Sequence, residues 1–140
     1  MKGISIIICS RTKKLTPVFL ENIEKTVGVD YELIVIDNSE NKYSIFEAYN
    51  LGIKKSKGEV LCFMHDDVLF HTNNWGNILQ TIFNKNELIG LIGILNPDFK
   101  RTSTILLFCD ITLQINNLTA LEPISTAAYF FIFIMEKACL

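Results

Sequence analysis

Three short runs of consecutive apolar, mostly β-branched residues constrain this chain more than any other feature: Ile4-Ser-Ile-Ile-Ile-Cys9, Leu33-Ile-Val-Ile-Asp37 and Val60-Leu-Cys-Phe-Met64. A strand with one solvated face alternates apolar and polar side chains, whereas a continuous run belongs to a strand covered on both faces. The segments between the runs have helical period. Thr16-Pro17 is a helix start followed by Val18, Phe19, Leu20, Ile23 and Val27 as a core-facing stripe, with Gly28 as the stop. Residues 43–55 carry Ile45, Phe46, Tyr49 and Ile53 along a second stripe, closed by Ser56-Lys-Gly58. Two βαβ crossovers result, so the fold class expected is α/β, a three-layer α/β/α sandwich around a mostly parallel central sheet. A further helix is expected from Asn73 or Asn74, either of which can cap it, with Trp75, Ile78, Leu79, Ile82 and Phe83 facing the core. Residues 88–95 then read as a Gly-punctuated strand. Beyond Asn96-Pro97 charges are sparse, and irregular strands are expected.

With 140 residues, of which 49% are hydrophobic, the chain can bury one sizeable core and is expected to form a single domain. A formal net charge of −2 disfavours a nucleic-acid surface that works by bulk electrostatics and leaves small anionic ligands as better partners. Cysteines at 9, 62, 109 and 139 form no C-x-x-C pair, so neither zinc nor a disulfide framework is indicated. The first apolar run is too short for a secretory core and is followed by Arg11, Lys13 and Lys14. The apolar run at 127–135 falls short of the ~20 residues of a membrane-spanning helix. A cytoplasmic protein is therefore expected, either free or peripheral to the inner face of the membrane.

Parallel strands present their carboxyl ends along one edge, where α/β sheets bind ligands at a switch in strand order. All three runs end in polar residues: Ser10, Arg11 and Thr12 after the first, Asp37, Asn38 and Ser39 after the second, and His65, Asp66 and Asp67 after the third. Adjacent carboxylates at a strand end repel unless neutralised. Mg²⁺ or Mn²⁺, bound through one or two carboxylates and completed by phosphate oxygens, suits such a cluster. A capped strand end with solvated acids is the structural alternative. Asp37 can accept hydrogen bonds from ribose hydroxyl or base N–H groups, or can simply close an Asx-turn. The first βα turn has neither G-x-G-x-x-G nor G-x-x-x-x-G-K-[ST], so neither a dinucleotide-dependent dehydrogenase nor a P-loop enzyme is supported.

The order strand, strand-Asp37, Ala48-Tyr-Asn-Leu-Gly52, Lys57-Gly-Glu59 and strand-His65-Asp66-Asp67 resembles the family 2 glycosyltransferases of the GT-A, Rossmann-like nucleotide-diphospho-sugar transferase fold, over roughly residues 3–95. The resemblance implies that Asp37, supported by Asn38, contacts the uracil or ribose of a UDP-sugar. It implies that Asn50 lies near the nucleotide and donor sugar, with Ser10 and Arg11 also on the donor side, and that the Lys57-Gly58-Glu59 turn is structural. The family's Asp-x-Asp metal motif is here His-Asp-Asp, as in a bacterial subgroup of family 2-like sequences. Asp67 becomes the primary ligand for Mn²⁺ or Mg²⁺, His65 a second ligand that would favour manganese, and Asp66 a group facing ribose or donor sugar. The implied reaction is transfer of the sugar to an acceptor hydroxyl with inversion, in surface polysaccharide or glycoconjugate assembly. Its acceptor, a glycan, a lipid-linked group or a protein, is not identified.

The resemblance also implies a carboxylate general base in the second half of the domain, and Asp110, following an apolar strand, is the candidate. Residues 1–95 would then be the nucleotide-sugar half and 96–140 a short or incomplete acceptor half. A truncated nucleotide-sugar-binding or assembly module without transferase activity is the alternative. An exposed aromatic strand near the carboxyl end would favour a homo-oligomer by covering its edge.

Overall fold

Each of the continuous runs is a strand of one mixed six-stranded sheet. The structure, a computed structural model, describes residues 3–85, 89–95, 104–109 and 130–136. In chain order the elements are β1 (Ile4–Ser10), α1 (Pro17–Thr26), β2 (Tyr31–Asp37), α2 (Ile45–Lys55), β3 (Val60–Met64), α3 (Trp75–Lys85), β4 (Ile89–Leu95), β5 (Thr104–Cys109) and β6 (Phe130–Glu136). The sheet order is β2-β1-β3-β6-β4-β5. β1 pairs in parallel with both β2 and β3, and the other pairings, β3 with β6, β6 with β4 and β4 with β5, are antiparallel.

The two faces of β1 sort its side chains by parity. Ile4, Ile6 and Ile8 pack with Phe19, Ile23 and Val27 of the α1 segment and with Trp75, Leu79 and Phe83 of α3, joined by Ile92 and Ile134 from the antiparallel half. Ile7 and Cys9 face Phe46, Ala48 and Tyr49 of α2. Helices thus cover both faces of a central sheet, the three layers expected from the pattern. Phe19 and Ile23 are 1% exposed, so each contributes about 2 kcal/mol through burial.

Local chemistry sets the helix starts. Thr16 caps α1, its hydroxyl accepting from the Phe19 N–H, and Pro17 occupies the first turn. Ser44 and Glu47 form a complete capping box that starts α2 at Ile45, two residues after the expected start. α3 begins at Trp75, but Asn74 takes a left-handed conformation (φ 58°) instead of the extended one of a capping residue. Three expected core positions are corrected. Val18, Leu20 and Ile78 are 63%, 41% and 45% exposed, because they adjoin the buried Phe19 and Leu79 in sequence and a helix turns each next side chain by about 100°. β2 is an edge strand with Tyr31 and Val35 exposed, so its apolar run is fully covered on the α2 side alone. The aromatic β6 lies between β3 and β4, an interior position that removes the exposed edge from which association was expected.

The Lys57-Gly58-Glu59 turn is structural, as the resemblance implied. The backbone N–H groups of Glu59 and Val60 both donate to the Gly3 carbonyl, and a Cβ on Gly58 would lie 2.6 Å from Ser5 Oγ and 2.7 Å from the Gly3 oxygen. Ser5, the one polar residue inside the first run, donates its hydroxyl to Glu32 Oε1 at 2.5 Å and accepts from the Gly58 N–H at 2.9 Å. Glu32 also accepts from the Lys57 and Gly58 N–H groups. The Ser5 hydrogen bond, aided by these N–H donors and by the Lys57 charge, holds the Glu32 carboxyl below its usual 4.5 against a smaller opposing effect of burial. A carboxyl whose folded value is depressed stabilises the fold above its unfolded value and loses that contribution as the pH falls through the folded one. Glu32→Gln should therefore cost about 1 kcal/mol at pH 7, and the difference from wild type should close as the pH drops below the carboxylate range. Thermal melts of both proteins at pH 7 and pH 3.5 test this; a difference that stays constant would refute it.

Candidate functional site

The parallel registers bring the three polar strand ends together. Ser10 pairs with Asp37, and Ile8 pairs with Met64, which carries Asp66 to the other side of Ser10. Ser10 is fully buried and Asp66 half-buried, and the Ser10 hydroxyl donates to Asp66 Oδ2 at 2.5 Å, within the range of a charge-assisted bond. The same Ser10 oxygen accepts from the Thr12 N–H at 3.1 Å, which folds the β1–α1 turn over the strand end. A serine here thus fixes the Asp66 side chain in one orientation and the following turn in one conformation.

Asp66 and Asp67 form one end of an open cleft of about 300 Å³ whose other lining residues are Thr12, Leu15, Thr16, Val18, Phe19 and Leu69. One wall is the β1–α1 turn with the first turn of α1. The other is the β3–α3 loop. Asp67 is exposed and makes no hydrogen bond or ion pair within the described residues, so its carboxylate is available to a ligand. His65 is also exposed, at the end of β3. Among the described residues, no three His, Cys, Asp or Glu side chains are grouped to hold a metal ion. The donor set fits a divalent ion shared between one or two carboxylates and the oxygens of a ligand, and does not fit an all-protein cage.

Asp37 closes an Asx-turn, accepting from the Ser39 N–H at 2.9 Å. That bond, with the Ser39 side chain and the charges of Lys13 and Lys42, holds its carboxyl below the ordinary aspartate value, so it stands ionised at the surface beside Ser10. Asn38 has a different occupation from the one the resemblance implied. It is 7% exposed, its amide donates to the Tyr43 carbonyl (2.8 Å) and to Cys9 Sγ (3.6 Å), and its oxygen accepts from the Tyr43 N–H (3.0 Å). Its side chain therefore shapes the loop behind Asp37. Burial raises the Cys9 thiol, while the Asn38 bond and the Arg11 charge work against that rise, which places Arg11 on the same strand end. Asn50 lies half-buried on α2, which runs back from this edge along the sheet; Gly52, two residues further on, already packs against Ile7 in the middle of β1.

Asp110 lies outside the described residues. Of the described residues, β5 ends at Cys109 opposite Ile89, the first residue of β4, whereas Thr104 pairs with Leu95 at the edge that carries Asp66. A seven-residue strand separates those two edges by about 20 Å. The sequence reading missed the apolar wall made by Leu15, Val18 and Leu69. The signal available was a set of large apolar residues beside polar strand ends, of which only Val18 was assigned, to the core-facing stripe of α1.

The class these observations define is an α/β domain with a ligand edge at the carboxyl ends of parallel strands, equipped with carboxylates and a flanking cleft. The chain matches the model of the glycosyltransferase-like family over residues 5–106, well over half its length, and belongs to that family. No curated protein matches it.

Proposed function

We propose that this domain binds a nucleotide-activated sugar, a UDP-sugar, together with Mn²⁺ or Mg²⁺ at the strand-end edge, and transfers the sugar to an acceptor hydroxyl with inversion. The observation that carries the reading is the side-by-side placement of Asp37, Ser10 and Asp66, with Asp66 and Asp67 opening into the cleft. Membership of the glycosyltransferase-like family supports it.

In this reading Asp67 holds the metal ion, with His65 next to it in the chain as a further donor. The ion, when bound, offsets the charge of the departing diphosphate. Asp66, oriented by Ser10, accepts from the hydroxyl groups of ribose or donor sugar. Asp37 receives the nucleoside, Arg11 adds positive charge beside the phosphates, and Asn50 lies toward the donor from α2. The proton of the acceptor hydroxyl needs a carboxylate base, for which Asp110 is the candidate.

Calorimetric titration of UDP with and without Mn²⁺, with GDP in parallel, tests the donor site without knowledge of the acceptor. Manganese-dependent UDP binding is the expected result. Absence of binding by both nucleotides under both conditions would overturn the reading.

A further inference from the structure

The loop that carries Asp66 and Asp67 is fastened at two points. Ser10 holds its start through Asp66. Its other end is held by a residue of no recognisable motif: Asn22, in the middle of α1, donates its amide to the Phe70 carbonyl at 2.9 Å and accepts from the Phe70 N–H at 2.8 Å. Asparagine is a poor helix former, because its side chain competes for backbone groups, and here both ends of that side chain are used on a distant backbone instead.

The attachment continues past Phe70. The Phe70 ring stacks on Trp75 at 4.2 Å with the planes 10° apart, and the indole N–H donates to Thr26 Oγ1, one turn beyond Asn22 on α1. The Gly76 N–H then donates to the Val27 carbonyl, and the Asn77 amide to the Gly28 carbonyl. Between the two fastenings run residues 67–69, and Asp67 and Leu69 of that span line the cleft opposite Thr16, Val18 and Phe19. The same helix therefore supplies one wall of the cleft and holds the other.

We infer that Asn22 is a positioning residue: by gripping the Phe70 backbone it sets the separation between α1 and the Asp66-Asp67 loop, and with it the fit of the cleft to its ligand. The inference about affinity rests on the nucleotide-sugar reading; the inference about the loop does not. Leucine at position 22 keeps the size and removes both bonds. Aspartate keeps the acceptor for the Phe70 N–H but turns an oxygen toward the Phe70 carbonyl, and it serves if the leucine variant does not fold.

The test combines two readouts on Asn22→Leu and Asn22→Asp. Amide hydrogen exchange without ligand should accelerate about tenfold or more at Phe70, the residue of this loop whose N–H is hydrogen-bonded among the described residues, with the amides of β1 and α2 at wild-type rates. In UDP titrations with Mn²⁺, affinity should fall about tenfold, a change comparable to the loss of one or two hydrogen bonds. Glu32→Gln, which loosens the opposite edge of the sheet, should keep wild-type affinity and so separates positioning from general destabilisation. Loop exchange at the wild-type rate, acceleration spread evenly through the domain, or unchanged UDP affinity in both variants would overturn the inference. If the wild type itself binds no UDP, the nucleotide reading fails and the exchange pattern alone decides the role of Asn22.

Discussion

Asp67→Asn is expected to weaken manganese-dependent UDP binding by roughly a hundredfold, the 2–3 kcal/mol range found when one partner of a close charge pair is removed. The substitution preserves the size of the side chain and removes the charge that would attract the ion. Asp67 is exposed and joins no hydrogen bond or ion pair within the described residues, so its stability effect should be that of a surface change, about 2 °C or less in melting temperature. The informative result is thus a loss of binding without a loss of folding. If the variant bound UDP as tightly as wild type in manganese, the metal would have to be placed elsewhere or dropped from the proposal.

Gly52→Ala should be clearly destabilising although it adds a single methyl group. On an exposed helix the same change would stabilise by up to about 1 kcal/mol. Here the new Cβ would lie 2.2 Å from Ile7 Cγ2 and 3.4 Å from Ile7 Cβ. Ile7 is fully buried in β1, and its branch at Cβ leaves that methyl few places to go. Overpacking of this kind costs about 1–3 kcal/mol, or roughly 3–10 °C in a domain of this size, and Gly52→Val should leave little folded protein. A double-mutant cycle with Ile7→Leu, which moves the branch away from Cβ, should recover part of the loss in the alanine variant. A melting temperature raised by Gly52→Ala alone would show that α2 can move off the sheet.

That packing also explains why the Ala48-Tyr-Asn-Leu-Gly52 segment was recognisable. Ala48 is fully buried and Gly52 has no room for a side chain, so two of its positions are dictated by the approach of α2 to β1. The parallel half was legible for a similar reason: β1 and β3 are buried along their whole length, and burial on both faces leaves a continuous apolar run. The strand-end residues followed from it, because parallel strands must end on a common edge. Ser10 beside Asp66 was therefore anticipated as a neighbourhood, though not as a hydrogen bond.

What was not legible depended on distant parts of the chain. The insertion of β6 between β3 and β4 is a pairing of residues far apart in sequence, and no local pattern encodes which edge receives it. Val18 and Ile78 adjoin the buried Phe19 and Leu79, and which of two neighbouring apolar residues faces the sheet is decided by how the helix docks on it. Asn38 looked like a ligand-binding amide because it follows Asp37 at a strand end, yet the return of the chain at Tyr43 takes up its hydrogen-bonding groups. Asn22 gave no signal, since its partner lies 48 residues away. The Ser44-Glu47 pair, by contrast, was a visible capping box that would have set the start of α2 correctly.

The interior place of β6 has a consequence for how the protein is made. β3 reaches the ribosomal exit long before its second neighbour, and its outer edge stays unpaired until residues 130–136 have been synthesised. At bacterial or eukaryotic elongation rates that interval is on the order of several seconds. During it, the nascent chain presents an apolar strand edge open to misdirected pairing with other chains. Yield on expression should accordingly be governed less by the stability of the finished domain than by protection of that edge during translation.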